Sequence, residues 1–248
     1  MFPIRDHNPS GQVPLVTYAL IAINVAVFLG TWLALPDTRA VDRFFVTWGL
    51  VPARVSAGID WLGLVTSMFL HGGWLHLLGN MLFLWIFGDN LEDIMGHRRF
   101  ALFYLAAGLA AALMQVWADP NSPVPMVGAS GAIAGVMGGY LLLFPRARVD
   151  VLIVIVIFFR IFTVPAWAML GLWFAFQLGA SLATPTELGG IAYWAHAGGF
   201  AAGLLLTLPF WLRRGGPAFW HQSAGQPDHP VATYPLGKSH IPRVPRQR

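Results

Sequence analysis

The chain has 248 residues, of which 56% are hydrophobic and only 10% are charged, and its formal net charge is +4. Soluble domains average about 25% charged residues, so this composition excludes an ordinary water-soluble protein and indicates a membrane protein. The absence of cysteine excludes disulfides, thiol catalysis and cysteine-ligated metals, and the small positive charge, located at the ends of apolar segments and in the C-terminal tail, is not a sign of nucleic-acid binding.

Six stretches are apolar enough to cross a bilayer, each near the roughly 20 residues that a spanning helix needs. We therefore predict an all-α membrane protein, a bundle of six transmembrane helices at residues 14–212, between a cytoplasmic N-terminal segment (1–13) and a basic tail (213–248). The first stretch is too long for the apolar core of a signal peptide, so we interpret it as a retained span. In chain order the stretches are approximately residues 13–35, 72–88 (extending towards Met95), 100–118, 126–144, 164–183 and 189–212.

The distribution of arginine in the short connections predicts the orientation of the bundle. The connections on one side contain Arg5, Arg98, Arg99, Arg146, Arg148, Arg213 and Arg214. On the other side Arg39, Arg43 and Arg54 are balanced by acids, and the connections 119–125 and 184–190 have no Lys or Arg. Both termini are therefore predicted to be cytoplasmic, in a plasma or inner membrane.

Three regions fit the six-helix pattern less well. Residues 37–70 are long for a loop and contain apolar pieces, so we expect them to fold partly into the outer membrane interface. Residues 149–162 are rich in β-branched side chains and include Arg160, which indicates either an interfacial segment or the lower part of a long fifth helix. The tail from residue 213 is predicted to be disordered and to lie on anionic lipid, with His221, His229 and His240 solvated.

Four polar residues are predicted to lie at one depth in the membrane. His76 and Asn80 lie near the start of the second span, Ser130 near the start of the fourth and His196 near the start of the sixth. These three spans run in the same direction, and a helix rises about 1.5 Å per residue, so all four side chains fall in the outer third of the bilayer. Polar residues inside spans are costly and are usually functional.

Glycine spacing predicts that the fourth and sixth spans touch. Gly199 and Gly203 form a GxxxG pair beside His196, and such pairs let helix backbones approach closely. A second small-residue stripe next to Ser130 consists of Gly131, Gly135 and Gly138. Packing of these stripes is expected to bring the Ser130 hydroxyl within hydrogen-bond reach of His196.

This pair predicts serine protease chemistry. A serine hydroxyl is a poor nucleophile until a base removes its proton, and His196 is that base and later the acid. Acidic residues do not occur at this depth, so the pair would act as a dyad, with an oxyanion hole formed by the Ser130 N–H, His76 and Asn80. Separately, each residue has a structural explanation: Ser130 in helix packing, His196 in a cavity, Asn80 in an interhelical hydrogen bond. Their coincidence at one depth favours catalysis, whereas Glu92, at the other end, is expected to hydrogen-bond a neighbouring loop.

Other intramembrane chemistries fit less well. The HExxH motif of zinc proteases is absent, because His76 is followed by Leu77. An aspartyl protease needs two carboxylates sharing a proton, and no two acids here match in depth. A metal site formed by His71, His76 and His196 would lack a carboxylate or thiolate ligand. We therefore predict no metal and no cofactor.

Three motifs resemble the signatures of rhomboid intramembrane serine proteases: "GASG" at 128–131, "HGGWLHLLGN" at 71–80 and "AHAGGFAAG" at 195–203. They occur in the order and on the spans expected for the family, and the resemblance covers approximately residues 14–212. It implies a Ser130–His196 dyad, an oxyanion hole from Ser130, His76 and Asn80, a supporting role for His71, and no cofactor. Gly128, Gly131, Gly199 and Gly203 are the supporting glycines. Ala134 departs from the family, where many members have an aromatic residue stacked on the histidine, so the ring must be held in another way, or by another aromatic residue such as Phe200 or Tyr193.

The predicted function is cleavage of transmembrane segments of single-span proteins near the outer face. The resemblance implies lateral substrate entry between the second and fifth spans, with connections 119–125 and 184–190 as mobile covers. The alternative is a non-proteolytic relative that binds client transmembrane helices, although such relatives typically lose the serine or the histidine. A solute transporter is disfavoured, because the polar residues stop in the outer half of the membrane. The sequence does not specify the substrate or the oligomeric state.

Overall fold

A computed structural model describes residues 2–155, 158–183, 192–223 and 225. Long apolar helices form a bundle, with a small antiparallel sheet of three strands beside it. The elements in chain order are β1 (Phe2–Asp6), α1 (Leu15–Ala34), α2 (Thr38–Trp48), α3 (Pro52–Ser56), α4 (Gly63–Thr66), a 3₁₀ turn (Ser67–Phe69), α5 (Trp74–Met95), α6 (His97–Ala118), α7 (Ser130–Leu143), β2 (Arg148–Ile155), β3 (Phe158–Pro165), α8 (Ala166–Ala183), α9 (Tyr193–Arg213) and α10 (Pro217–Ser223).

The chain is a multi-pass membrane protein. Helices α1, α6, α8 and α9 are each long and apolar enough to cross a membrane, and a fifth crossing is formed if α5 is joined to the bent segment Gly63–Phe69, which meets it at 92°. The remaining predicted span corresponds to α7, which has 14 residues. A helix of that length is about 21 Å long, shorter than a hydrocarbon core of about 30 Å.

Helix α7 is the centre of the bundle, with 11 of its 14 residues buried. Glycines on both helices permit close contact between α7 and α9: a Cβ on Gly138 of α7 would overlap the carbonyl oxygen of Phe200, and a Cβ on Gly203 of α9 would overlap that of Gly135. Side chains at these positions would hold the two helices apart, so glycine permits backbone contact. The close contact predicted between the fourth and sixth apolar segments is therefore confirmed.

Glu92 of α5 holds the start of α1. Its carboxylate is buried and accepts hydrogen bonds from the backbone N–H groups of Val16 and Thr17, both at 2.8 Å, and from the Thr17 hydroxyl at 2.7 Å. His97 contacts the same carboxylate. The first N–H groups of a helix have no partner within it, so this acid supplies the missing acceptors. The sequence predicts a hydrogen bond between Glu92 and a neighbouring loop, whereas the structure shows hydrogen bonds to the first turn of α1.

The sheet corrects the all-α prediction. β2 and β3 form an antiparallel hairpin with Arg148 opposite Pro165, and β1 pairs with the other edge of β2. The alternative that residues 149–162 extend the fifth helix is wrong, since α8 begins at Ala166. The run of β-branched residues accounts for this result, because such side chains fit a pleated strand better than a helix.

One carboxylate joins the three strands. Asp150 accepts hydrogen bonds from Arg5 (2.7 and 3.1 Å), His7 (3.0 Å) and the Thr163 hydroxyl (2.6 Å). Burial acts to raise the pKa of Asp150, but the hydrogen bonds from Thr163, His7 and Arg5 outweigh it and lower the pKa to about 2. The acid therefore stays ionised and keeps β1 attached to the hairpin at neutral pH.

Two other regions contain short helices: residues 37–70, which the sequence predicts to fold in part, and the start of the tail. Residues 37–70 contain α2, α3, α4 and the 3₁₀ turn. The predicted disorder of the tail is wrong for α10, whose Trp220 donates a hydrogen bond to the Leu142 carbonyl at 2.9 Å and packs against Trp211. His229, His240 and the connection 184–190 lie outside the described residues.

Candidate active site

Ser130 and His196 lie at the starts of the two helices in closest contact. Ser130 is the first residue of α7 and His196 is in the first turn of α9. The Ser130 Oγ and the His196 Nε2 are 2.7 Å apart, which is a short hydrogen bond. Both residues are partly buried. The structure therefore brings together the two residues that the sequence analysis paired.

The loop that leads into Ser130 requires glycine at position 128. Gly128 has φ 134°, a conformation that residues with a side chain rarely adopt. A Cβ at this position would lie 2.7 Å from the His76 Nε2 and 3.5 Å from the Ser130 Oγ. The Gly128 N–H is anchored to the Ser67 carbonyl at 2.9 Å. Glycine thus allows the His76 ring and the serine loop to occupy adjoining space.

His71, His76 and Asn80 form a polar group beside this loop. The Asn80 Nδ2 and the His71 Nε2 are 2.9 Å apart, and both side chains are buried. The His71 and His76 rings meet edge to face with centroids 5.1 Å apart. An amide nitrogen carries two hydrogens, so Asn80 retains one donor after it bonds to His71. His71 therefore fixes the orientation of Asn80 and leaves that donor available.

Helix α8 contributes two residues that the sequence analysis missed. The Gln177 Oε1 lies 2.9 Å from the His196 Nδ1, and the Trp173 ring lies 5.9 Å from the His196 ring, inclined by 35°. They are four residues apart and therefore share one face of α8. The available signal is a glutamine within an apolar span, "LWFAFQLG", that lies outside the motifs around Ser130, His196 and Asn80. Helix α8 therefore contacts the His196 ring through one polar and one aromatic side chain.

The aromatic residues expected to replace the family's ring at Ala134 lie elsewhere. Phe200 stacks on Phe174 with centroids 4.5 Å apart and also contacts Trp173. Tyr193 meets Phe176. The ring of His196 is therefore contacted in another way, by Trp173 of the neighbouring helix.

A cavity of about 620 Å³ opens onto these residues. Its polar wall is built from α5, α7, α8 and α9, and the segment 122–128 closes part of its rim. Within the described ranges, no group of three or more His, Cys, Asp and Glu side chains is arranged so that it could hold a metal ion. The polar residues that line the cavity include Ser130, His196, His76, Asn80 and Gln177.

The arrangement has the parts needed for acyl transfer. A hydroxyl bonds to an imidazole nitrogen, a second polar group engages the other ring nitrogen, and side-chain donors lie beside the serine loop. A nucleophile, its base and an orienting group in hydrogen-bond contact are the geometric signature of nucleophilic catalysis. The cavity leaves room for a substrate chain against the serine.

Comparison with known proteins identifies the family to which this chain belongs. The model of the Rhomboid domain matches residues 59–213. Rhomboid protein 1, mitochondrial, of Saccharomyces cerevisiae is 33% identical over 197 residues, which is 77% of this chain and 51% of that protein. Two Bacillus subtilis proteins also match. Rhomboid protease GluP is 35% identical over 52% of this chain and 24% of that protein. The putative rhomboid protease YdcA is 32% identical over 52% of this chain and 61% of that protein. The chain thus spans between a quarter and three fifths of these relatives.

Proposed function

Because this chain belongs to the rhomboid family, we propose that it is an intramembrane serine endopeptidase that cleaves transmembrane segments of single-span membrane proteins. The observation that carries the proposal is the 2.7 Å contact between the Ser130 Oγ and the His196 Nε2, at the wall of a cavity. The names of two relatives, rhomboid protease GluP and putative rhomboid protease YdcA, agree with a proteolytic activity.

The reaction proceeds in two steps. The Ser130 Oγ attacks the carbonyl carbon of the scissile peptide while the His196 Nε2 takes the hydroxyl proton. The protonated ring then donates that proton to the leaving nitrogen as the C–N bond breaks, which releases an amine and leaves an ester on Ser130. A water molecule attacks the ester, His196 again accepts and returns a proton, and the acid product leaves a free serine.

The negative charge on the carbonyl oxygen needs preorganised donors. The Ser130 N–H is one, because it belongs to the unsatisfied first turn of α7, where the helix dipole also favours an anion. The His76 ring and the remaining Asn80 N–H are the other two. The His71–Asn80 hydrogen bond keeps the amide in position before substrate arrives, so no reorganisation is needed at the moment of reaction.

The arrangement of the chain in the membrane is part of the same proposal. We propose six crossings, with α7 as the shielded fourth, and both termini on the cytoplasmic side. The cavity then opens towards the extracytoplasmic face of a plasma or inner membrane, and cleavage occurs near that face. Substrate enters between α5 and α8, and the connection 119–125 covers the site.

The test compares wild type with Ser130→Ala on a single-span reporter whose helix is easily unwound, in proteoliposomes with matched protein levels. We expect cleavage by wild type and a loss of about 10³-fold or more in the variant. Mass spectrometry of the products locates the cut relative to the membrane face. Cleavage by the variant at the wild-type rate would refute the dyad, and binding without cleavage by both proteins would favour a client-binding function instead.

A further inference from the structure

We propose that Gln177 is a positioning residue that completes a Ser130–His196–Gln177 triad. Its side-chain oxygen accepts a hydrogen bond from the His196 Nδ1 and holds the imidazole with Nε2 directed at the serine. This inference rests on the proposed function, since it concerns the base of that reaction. It assigns a chemical task to α8, which borders the cavity beside the dyad.

The His196 ring is bonded from two different helices. Its Nε2 lies 2.7 Å from the Ser130 Oγ of α7, and its Nδ1 lies 2.9 Å from the Gln177 Oε1 of α8. Both distances are short enough for hydrogen bonds. An imidazole with a hydrogen bond at only one nitrogen can rotate about its side-chain bonds. Hydrogen bonds at both nitrogens fix the plane of the ring and the direction in which Nε2 points.

The carbonyl oxygen of Gln177 also selects the tautomer. A neutral imidazole carries its hydrogen on only one nitrogen, and the hydrogen bond at one nitrogen decides the state of the other. An oxygen can only accept, so Nδ1 must carry the hydrogen. Nε2 then presents its lone pair to the Ser130 hydroxyl, which is the state a general base requires. The opposite tautomer would direct an N–H at the serine and could not take its proton.

The amide suits both protonation states of the base. When His196 has taken the serine proton, both ring nitrogens are donors, and the Gln177 oxygen still accepts from Nδ1. The bond therefore persists through the reaction without a change of partner. Unlike the carboxylate of a Ser-His-Asp triad, an amide adds no negative charge to a buried site, and the cysteine proteases of the papain type use a neutral amide at this position.

The surroundings of Gln177 hold it for this task. Its side chain is 6% exposed, in a helix that borders lipid, where an unpaired amide would be costly. Trp173, one turn earlier on the same face, packs against the His196 ring. The backbone carbonyl of Gln177, by contrast, accepts from the Ser181 hydroxyl at 2.8 Å, a contact that does not involve the amide. The helix thus presents one polar and one aromatic group to the same imidazole.

The experiment uses Gln177→Leu, Gln177→Glu and the control Ser181→Ala in the full chain in proteoliposomes. Ser181→Ala removes a hydrogen bond to the Gln177 backbone and leaves the amide in place. Cleavage of the single-span reporter gives kcat and KM over a range of pH. Labelling of Ser130 by a fluorophosphonate, which needs an activated serine but no peptide substrate, gives a second readout.

For Gln177→Leu we expect kcat to fall about 10- to 100-fold with KM unchanged, less than the roughly 10⁴-fold lost when the charged residue of a Ser-His-Asp triad is replaced. The rate of fluorophosphonate labelling should fall in parallel. For Gln177→Glu we expect activity to be retained, but with the acid limb of the pH profile moved to higher pH, because a carboxylate stabilises the protonated ring. Ser181→Ala should keep the wild-type kcat and pH profile.

The inference is overturned if Gln177→Leu folds and keeps both the wild-type kcat and labelling rate. If that variant does not fold, the pH profile of Gln177→Glu decides, and an unchanged acid limb overturns the inference. A merely structural glutamine would lower the amount of folded protein without moving the profile. Failure of the proposed function looks different, because wild type itself would then neither cleave the reporter nor be labelled at Ser130.

Discussion

Gly199 and Gly131 lie so close that a methyl group on Gly199 would overlap the carbonyl oxygen of Gly131. Gly131 directly follows Ser130, and Gly199 lies one turn after His196 on α9. The contact between the two backbones therefore sets the distance between the two side chains. The contact that packs the two helices therefore also fixes the geometry of the proposed dyad.

Gly199→Ala should lower both stability and activity. The added methyl would push α9 away from α7, and overpacking of this kind costs about 1–3 kcal/mol. Thermal unfolding in detergent and cleavage of the single-span reporter measure the two effects. Gly171→Ala is the matched control in a helix, since its Cβ would meet no atom within 4 Å. Unchanged activity in Gly199→Ala would show that the contact does not position the dyad.

The single and double variants of Ser130 and His196 should not be additive. Ser130→Ala and His196→Ala are each expected to reduce kcat by about 10³-fold or more, and the double variant by no more than the worse of the two, because residues that act as a unit lose their effect together. Rates from the same reporter preparation provide the comparison. Multiplicative losses would indicate that the residues act independently.

Glu92→Gln should destabilise the chain and leave the activity of each folded molecule unchanged. The amide keeps the size of the side chain but replaces an acceptor of α1 hydrogen bonds by a donor, which leaves buried N–H groups unpaired at a cost of about 1–3 kcal/mol. Thermal unfolding measures the loss. Asp93→Asn is the neighbouring control, with an exposed bond from Gly11 at 3.0 Å, and its loss should be smaller.

Stability should fall as the pH rises through neutrality because of Asp6. Burial raises the pKa of Asp6 from its ordinary value of 3.8 to about 7, and repulsion by Asp89 adds to the effect. A folded-state pKa above the unfolded value gives stability that is complete below about pH 3.8 and is lost as the pH passes 7. The Asp6 carboxyl accepts hydrogen bonds from the Tyr140 hydroxyl at 2.8 Å and the Asn90 amide at 3.2 Å. Asp6→Asn keeps an uncharged acceptor at this position and therefore resembles the protonated acid.

The measurement for Asp6 is the midpoint of thermal unfolding at pH 5 and pH 8. We expect the wild-type midpoint to be lower at pH 8 than at pH 5. In Asp6→Asn the difference between the midpoints at these two pH values should be smaller. Asp150 is the internal contrast, because its lowered pKa gives stability that is lost only as the pH falls from about 4 towards 2. An equal pH dependence in wild type and Asp6→Asn would exclude Asp6 as its source.

The β2–β3 hairpin should lie at the membrane surface. Phe159 and Ile161 are 69% and 59% exposed on the edge strand β3, and the α8 span begins directly after it. Because the chain has no cysteine, Phe159→Cys provides a single site for an environment-sensitive dye. We expect a blue-shifted emission in liposomes, and no shift for Asn121→Cys in the connection after α6. Solvent-like emission at both positions would place the hairpin in water.

Local patterns account for what the sequence predicted. Apolar length identifies the spans, and the glycine spacing around Ser130 and His196 is a property of two short segments, so their contact was predictable. The sheet depends on a pairing between distant segments, since Arg5 and Asp150 are 145 residues apart. No local periodicity reports such a partner, so the pattern of residues 149–162 indicates only an interfacial segment or the lower part of a helix.

The missed parts of the site have a similar cause. Gln177 and Trp173 are ordinary residues in an apolar helix until α8 is placed against His196, and their task depends on that tertiary contact. The start of α7 was predicted four residues too early, because residues 126–129 are apolar. Gly128, with its positive φ, and the bridge between Leu50 and Met126 keep these residues in a loop.

The burial of α7 has a consequence for how the protein experiences its lipid environment. Eleven of the 14 residues of α7 are enclosed by protein, compared with four of 20 in α1 and five of 18 in α8. Mismatch between helix length and bilayer thickness acts on the helices that touch lipid and tilts them. Thinning or thickening the membrane would therefore move α8 before it moves Ser130. The first contact in the site to change would be the one between α8 and the His196 Nδ1.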